Sequence, residues 1–559
     1  MKVGTKRVIS FAAIIIGFFM ALLDTTIVNI ALPEMTKYFN SDMQSISWVM
    51  NGYNLAFAVF LITASRLADQ FGRKKLFIVG IALFTTSSFM AGISSTVGML
   101  IFFRVVQGLS AAIVVPVTIP LAMELFPTEK HGMVMGIWGA ISGLAAASGP
   151  ALGGILTDSF KWHSIFFVNV PIGIVAVILA AVYIKESYDP TATKRIDWAG
   201  MVSISIAMFA ITFGLIKVTD LGWTSATTLS MFALFIVSLT AFVVIERKSK
   251  EPMLPMWLLK ILPFDAASMT LFVFGAGIMA ATFIMSYFLT QILGLNTLQA
   301  GLTISAMPLT SMISSAIVGP VTVKRGSRFF VTLGMTILAF SIFLLSGLSA
   351  ESTRMDAVWR LLIAGVGLGM TMAPVMGSVI RNVPKEKVGI ASGVTNMTRA
   401  LGAVLGVAIL ITVLNSSVGT QINNAKESIT SIVQKDTVLI PQVKEAFLKQ
   451  IKNIKISQNN QGINVDTVIK PLDQMEQQQL AQTPAAGQDK VKALFASQKN
   501  EFIKLWPKVE GTFKDNLANA FDSTFKFGGF MILIGILFAI FSDKKKEKES
   551  GPADVVYET

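Results

Sequence analysis

The chain has no cysteine and only two histidines, His131 and His163. Disulfide staples and thiolate metal sites are thereby excluded, and a histidine-based metal site is short of ligands, since structural sites draw on about four. Charge is scarce too. Asp, Glu, Lys and Arg make up 14% of the residues, against ~25% in an average soluble domain. Apolar side chains fill the gap: 53% of residues are hydrophobic and the mean hydropathy is +0.65. One buried core cannot absorb that much apolar surface over such a length. The apolar residues come in runs of ~20, enough to cross ~30 Å of hydrocarbon as a helix. Unpaired backbone groups are too costly in lipid for anything but helices or closed barrels. The runs are continuous rather than alternating, which selects helices.

Fourteen such segments are predicted: Val8–Leu32, Ile46–Ala68, Leu76–Ile93, Val97–Phe126, Gly132–Leu156, Ser164–Ile184, Trp198–Lys217, Ala226–Ile245, Phe264–Gly294, Thr297–Val323, Phe329–Leu348, Asp356–Ile380, Val388–Val413 and Phe525–Phe541. The first follows Lys2, Lys6 and Arg7 in the manner of a signal peptide. It is too long for one and no small-residue cleavage site precedes Asp24, so it reads as a retained helix. An even number puts both termini on one side. The formal net charge is +13, which in a soluble chain would raise nucleic acid as a partner. Here the cations gather in alternate loops instead, among them Arg73, Lys74, Lys75, Lys324, Arg325, Arg328 and the tail lysines Lys544–Lys546. The short loops of the other face hold only Lys37, Lys161 and Arg354. The positive-inside rule then places both termini in the cytoplasm of a multi-pass inner-membrane protein, with no nucleic-acid partner.

One stretch breaks the pattern. Asn415–Asp522 is polar and rich in Gln, Asn and Lys, with the runs Gln458-Asn459-Asn460-Gln461 and Gln477-Gln478-Gln479. Val443, Phe447, Ile451 and Ile454 repeat at helical spacing, as do Val491, Leu494, Phe495, Phe502, Leu505, Trp506, Val509 and Phe513. Pro441, Pro471 and Pro484 punctuate it. An extracytoplasmic helical hairpin with a loose tip is expected. The chain accordingly divides into a six-helix bundle (1–196), two inserted helices with a linker (197–263), helices nine to thirteen of a second bundle (264–414), the outer insertion (415–523), and a last helix with a basic tail (524–559).

The loop after segment two reads Leu67-Ala68-Asp69-Gln70-Phe71-Gly72-Arg73-Lys74-Lys75. Gly72 permits a tight turn, and Asp69 ends a helix where it can meet Arg73 or another helix terminus. At this position the string resembles the signature loop of the major facilitator superfamily, with Ser65 at the usual leading glycine. Segment four carries Arg104-Val105-Val106-Gln107-Gly108, similar to that family's second motif. Segment five carries Gly139, Gly143, Gly149, Pro150, Gly153 and Gly154, which resembles the motif of its antiporter branches, with Ala145 at the usual leading glycine. Segment one holds Leu23-Asp24-Thr25-Thr26-Ile27-Val28-Asn29-Ile30-Ala31-Leu32-Pro33, close to the signature of the 14-helix drug:proton antiporters. Smaller matches follow at Trp48, Tyr53, Phe166 to Gly173 and Ser392 to Asn396. The resemblance implies two six-helix bundles with two extra helices between them, around a central cavity. The loop Lys324-Arg325-Gly326-Ser327-Arg328 resembles a degenerate second copy of the signature, with Val323 where the first has Asp69.

Ionisable residues inside spanning helices are expensive and usually functional. Asp24 lies roughly 12 Å from the outer end of its helix and Arg104 roughly 10 Å from the same face, at 1.5 Å per residue. They are the expected proton-coupling pair. Asp69, Gly72, Arg73, Gly149, Pro150, Gly153 and Gly154 are expected to control conformation; close helix packing is the plainer use of the segment-five glycines. Asn29, Trp48, Tyr53, Gln107, Tyr287, Gln291 and Met307 are expected to line the substrate cavity, in a protein whose second half is rich in adaptable methionine. Glu124 is expected to snorkel, and Arg360 and Arg399 to hydrogen-bond carbonyls.

No ATP-binding Gly-x-x-x-x-Gly-Lys motif occurs, so energy must come from a gradient, with no cofactor. No paired carboxylates, metal cluster or nucleophile motif supports an enzyme. The expected function is proton-coupled export of hydrophobic or cationic small molecules, in the manner of multidrug efflux and antibiotic resistance, by a monomer in contact with membrane lipid. Export of a lipid or lipid-linked molecule, aided by the outer insertion, is the alternative. The physiological substrate is not written in the sequence.

Overall fold

The computed structural model describes residues 3–41, 43–189, 197–249, 252, 254–453 and 465–543. The Gln458–Gln461 run, Ile454 and the tail lysines lie outside the described residues. Among the described residues there is no strand, and 14 helices are long and apolar enough to cross a membrane. The first six are α1 (Val3–Tyr38), α2 (Met43–Phe71), α3 (Arg73–Gly92), α4 (Val97–Leu125), α5 (His131–Phe160) and α6 (Ser164–Tyr183). Two follow that pack on each other, α7 (Trp198–Leu221) and α8 (Ala226–Lys248). The remainder are α9 (Leu262–Ile292), α10 (Leu298–Thr322), α11 (Arg328–Ser346), α12 (Arg354–Asn382), α13 (Val388–Lys435) and, after two shorter helices, α16 (Gln488–Ala539). The chain is a multi-pass membrane protein.

Helix starts follow local chemistry. The Thr96 hydroxyl accepts from Met99 N–H, Asp197 from Gly200 N–H and Ser225 from Thr228 N–H. Asn296 with Gln299 and Thr353 with Asp356 form reciprocal capping boxes. Each such cap satisfies backbone donors that the helix leaves orphaned, worth about 1 kcal/mol apiece.

Two bundles result. In the first, α1 packs along α5 and α6, and α4 against α2 and α3; in the second, α9 packs on α13, α12 on α10 and α11, and α16 on α11 and α13. The halves meet chiefly along α5 and α10 and where α2 meets α13. Their close approach needs small residues: a Cβ on Gly136 would press on Ser315 O and Pro320, and one on Gly143 on Pro308 O and Met312. The inserted α7 bridges the halves. Its Phe213 ring lies 5.9 Å from Trp48 on α2, and Trp223, just beyond it, donates to the Thr412 hydroxyl on α13 at 3.0 Å. Its partner α8 leaves Leu229, Ile236 and Val237 more than half exposed, as suits a lipid-facing helix.

Among the described residues the insertion holds four helical rods rather than two, and residues 454–464 of the expected tip lie outside the described residues. Helix α13 runs 48 residues and α16 runs 52, the latter straight through Pro507. At 1.5 Å per residue these rods are roughly 70 Å and 80 Å long, more than twice the ~30 Å hydrocarbon layer. Their ends remote from the bundles carry α14 (Pro441–Asn453) and α15 (Val465–Gln482). The glutamine run Gln477–Gln479 and Pro471 lie within α15, not in a loop. Glutamine is a good helix former, so composition alone misreads this segment. The four rods enclose their own core of Ile429, Val433, Val443, Phe447, Leu472, Phe502 and Phe513. Buried Gln498 closes it by donating to Val438 O at 3.1 Å and accepting from Ile440 N–H at 2.9 Å.

Candidate functional site

The two deepest charges of the first half meet. Asp24 on α1 and Arg104 on α4, both essentially inaccessible to solvent, form an ion pair. Burial of two charges is tolerated when their remaining hydrogen-bonding groups are also satisfied. Arg104 donates from Nε to Val49 O at 3.0 Å and from Nη1 to Gln107 Oε1 at 2.8 Å. Gln107 Nε2 donates in turn to Asp24 Oδ1 at 3.0 Å. Arg104 and Gln107 are three positions apart, so both stand on one face of α4. The Arg104 guanidinium lies 4.3 Å over the Tyr53 ring, and the Tyr53 hydroxyl donates to Ala21 O at 3.3 Å. Gln107 and Tyr53, expected as cavity residues, thus surround the ion pair.

A further ligand stands within the Phe166 to Gly173 match but was not among the expected site residues. Asn169, at the head of the second helical stretch of α6, donates from Nδ2 to Asp24 Oδ1 at 3.0 Å and to Ser88 Oγ of α3 at 3.1 Å. The signals available were its place in that match and an amide in an apolar segment, two residues before Pro171.

The other expected cavity residues lie elsewhere. Trp48 packs on α7, under Lys217 at 5.4 Å. Asn29 is exposed on α1. The Tyr287 ring lies tilted against Phe283 at 4.9 Å, and Gln291 lies in a π-helical turn, Phe288–Ile292, that ends α9. Such turns are frequent at functional sites. Met307 is buried on α10, its carbonyl against Gly365 of α12.

At the end of the bundle that bears the basic loops, Asp69 Oδ1 accepts from Arg73 Nε at 2.8 Å, and Arg73 Nη1 reaches Glu124 Oε1 at 2.7 Å. Glu124 is therefore an ion-pair partner as well as a half-exposed side chain. Gly72 adopts φ +115°, and a Cβ there would collide with the Glu186 carboxylate, which accepts from Lys74 and Lys75 N–H at 2.9 and 3.2 Å. Across the divide, the buried Asp69 carboxylate lies against Gly389 in the first turn of α13, where the helix dipole favours a negative charge. Ser65 donates to Gly389 O at 2.7 Å.

The second half repeats this scheme with a transplanted acid. Gly326 turns with φ +81° before α11, as Gly72 does before α3. The carboxylate comes from Asp543, just past α16: its Oδ2 accepts from Ser327 N–H at 2.7 Å and Arg381 Nη2 at 2.9 Å, and its Oδ1 from Asn382 at 3.2 Å. Partial burial pushes this carboxyl upward, but the Ser327 N–H, the Arg381 charge and the Asn382 amide together hold it below the usual carboxylate value.

On α5, Gly149 leaves the space that Thr26 and Ile27 of α1 occupy, two residues past Asp24. Pro150 and Gly153 continue the same helix, and Gly154 faces Leu298 of α10. Next to the carbonyl that Pro150 frees, Ala145 O accepts from Thr26 at 3.4 Å and Ala147 O from Ser305 at 3.0 Å. Arg360 donates to Asp356 O at 3.0 Å, as a carbonyl-bound arginine should. Arg399 lies on α13 with its backbone carbonyl against Gly275 of α9.

Known proteins share this plan. The profile of the Major Facilitator Superfamily matches residues 14–407. The tetracenomycin C resistance and export protein of Streptomyces glaucescens is 32% identical over 410 residues, 73% of this chain and 76% of that protein. The multidrug transporter protein MdtP of Bacillus subtilis is 26% identical over 555 residues, covering 98% of this chain and 96% of its own. The human organic anion transporter MFSD10 superposes with a TM-score of 0.55 at 12% identity, covering 73% of this chain and 93% of that one. That last likeness is one of fold. From the fourteen-helix architecture, the repeated signature turns and these matches, the chain belongs to the major facilitator superfamily.

Proposed function

We propose that the protein exports hydrophobic or cationic small molecules across the cell membrane in exchange for protons, by alternating access. The basic loops and both termini face the cytoplasm in this reading. The observation that carries it is the Asp24–Arg104 pair: a carboxylate buried at depth, reachable only by rearrangement, and bonded to α4 and α6 at once. Protonation cancels the charge that Arg104 and the two amides bind, so it weakens contacts among three helices. Asp69 against α13 and the α5–α10 glycine contacts hold the cytoplasmic face shut in this state. Opening that face requires giving them up.

Relatives named for drug export favour a drug cargo. The MdtP match runs through the insertion, so the insertion by itself does not point to a lipid. The test uses purified protein in liposomes with the fluorescent cation ethidium and an imposed pH gradient. Gradient-driven accumulation by the parent, lost in Asp24→Asn, is expected. Equal accumulation with and without the gradient would overturn the antiport reading.

A further inference from the structure

We infer that Asn169 is a positioning residue whose side-chain amide turns over when Asp24 takes up a proton. This rests on the antiport reading above. The ionised Asp24 carboxylate only accepts hydrogen bonds, and every side chain that binds it is a donor: Arg104 Nη1, Gln107 Nε2 and Asn169 Nδ2. A proton arriving on Asp24 Oδ1 creates one O–H bond and removes one negative charge. That new O–H then faces the Asn169 NH2 group, donor against donor.

An acceptor is close by. Asn169 is fully buried, and among the described residues its Oδ1 has no hydrogen-bond partner while its Nδ2 has two. Rotating the amide by half a turn brings Oδ1 to the place of Nδ2, where it accepts the Asp24 O–H. Ser88 can follow, because its hydroxyl, now donating to Phe166 O at 2.9 Å, can swing to Asn169 Oδ1. Gln107 cannot substitute. Its Oε1 is held by Arg104 Nη1 at 2.8 Å, and turning it would aim an NH2 group at a guanidinium, which only donates.

The other groups around the site do not compete. On α2, Tyr53 lies beneath Arg104 and donates to Ala21 O. On α5, the titratable side chains are His131 and Asp158, at the two ends of the helix. The turnover moves the unsatisfied group of Asn169 from a carbonyl to an NH2 at the head of α6, where backbone N–H groups already crowd. Protonation thereby acts on the α6 head and on α3 behind it, not on α4 alone. A buried amide left without partners is costly, so the α6 head is driven to shift.

The experiment compares parent, Asn169→Leu and Asn169→Ala in liposomes, with Asp24→Asn alongside. Two rates are read for each: ethidium–ethidium exchange at equal pH, and ethidium accumulation driven by a pH gradient. The inference expects driven accumulation to fall about tenfold further than exchange in both variants, the upper size of one lost hydrogen bond between neutral groups. Equal losses in both rates would make Asn169 a packing residue and overturn the inference. So would unchanged driven accumulation in whichever variant purifies as a single species. If Asp24→Asn also keeps driven accumulation, the antiport reading fails instead.

Discussion

Lys387 Nζ sits 2.7 Å from Asp189 Oδ2, an ion pair that ties the head of α13 to the segment leaving α6 and so joins the two halves. Asp189 also donates its N–H to Asp69 O at 2.9 Å, placing the pair beside the signature turn. Asp189 is buried and Lys387 only slightly exposed. The pair is thus better shielded than an ordinary surface bridge, whose median worth is ~0–1 kcal/mol.

Lys387→Met should shift the protein away from the state closed on the basic face. A native chain without cysteine makes this measurable. A single Ser392→Cys, at a position buried on α13, should react with maleimide about fivefold faster in the Lys387→Met background, matching ~1 kcal/mol of lost bias. An unchanged rate would show that the pair follows the closure rather than helping to hold it.

Asp69→Asn and Gly72→Val should lower the turnover rate several-fold while leaving the apparent affinity for ethidium within about twofold. Asp69 loses its charge against the α13 dipole, worth ~0.3–1 kcal/mol or more when buried. Valine at φ +115° is strained and meets the Glu186 carboxylate. Both changes sit at the basic face, far from the Asp24 cluster. A large affinity loss with normal turnover would count against a switching role.

Asp543→Asn should lower the melting temperature in detergent at pH 7. The sign follows from the direction of its shift: a carboxyl held below its usual value, near 3.8, stabilises the fold above that value. The contribution fades as pH falls through the depressed folded value. The gap between parent and variant should therefore be full at pH 7 and shrink below about pH 4. A gap independent of pH would assign the effect to the Asn shape rather than to the charge.

Much of this was legible in advance, and the misses have physical causes. Hydropathy marks all fourteen spans because lipid demands length and apolarity from each. The similar depth of Asp24 and Arg104 follows from helix rise, since each depth is a residue count; that they touch is set by the packing of α1 and α4. Asn169 stood inside the Phe166 to Gly173 match but was not assigned a role, because a lone amide has no period and no charge to single it out. Asp543 was missed because its partners, Ser327 and Arg381, are more than 150 residues away and the sequence shows only that Val323 has replaced an acid. The seat of Trp48 on α7 depends on how an inserted pair docks, which hydropathy does not encode. The outer helices were half read: their apolar period was visible, but a glutamine run looks the same in a helix as in a loop.

The insertion supplies the last prediction. Its apolar residues, from Ile429 to Phe513, form a cluster separate from the one that fills the bundles. Fully burying one such side chain contributes about 1.5–3 kcal/mol, and here the gain stays within the outer rods. The rods rejoin the membrane core lower down, where Val418 and Leu517 pack against it and Phe521 meets Phe288 of α9 at 5.6 Å. Ala425 and Phe513 belong to the same outer cluster, so the two rods run side by side at the level where they would be cut. A short Gly/Ser bridge can therefore replace Asn423 to Asp515 without pulling α13 and α16 apart. The shortened protein should elute as a single species and keep Asp24-dependent ethidium transport, while its relative rates across a panel of cations and neutral drugs change. Aggregation of that variant would show that the outer core is needed to hold α13 and α16 in register, and the insertion would then belong to the transporter's fold rather than to its choice of cargo.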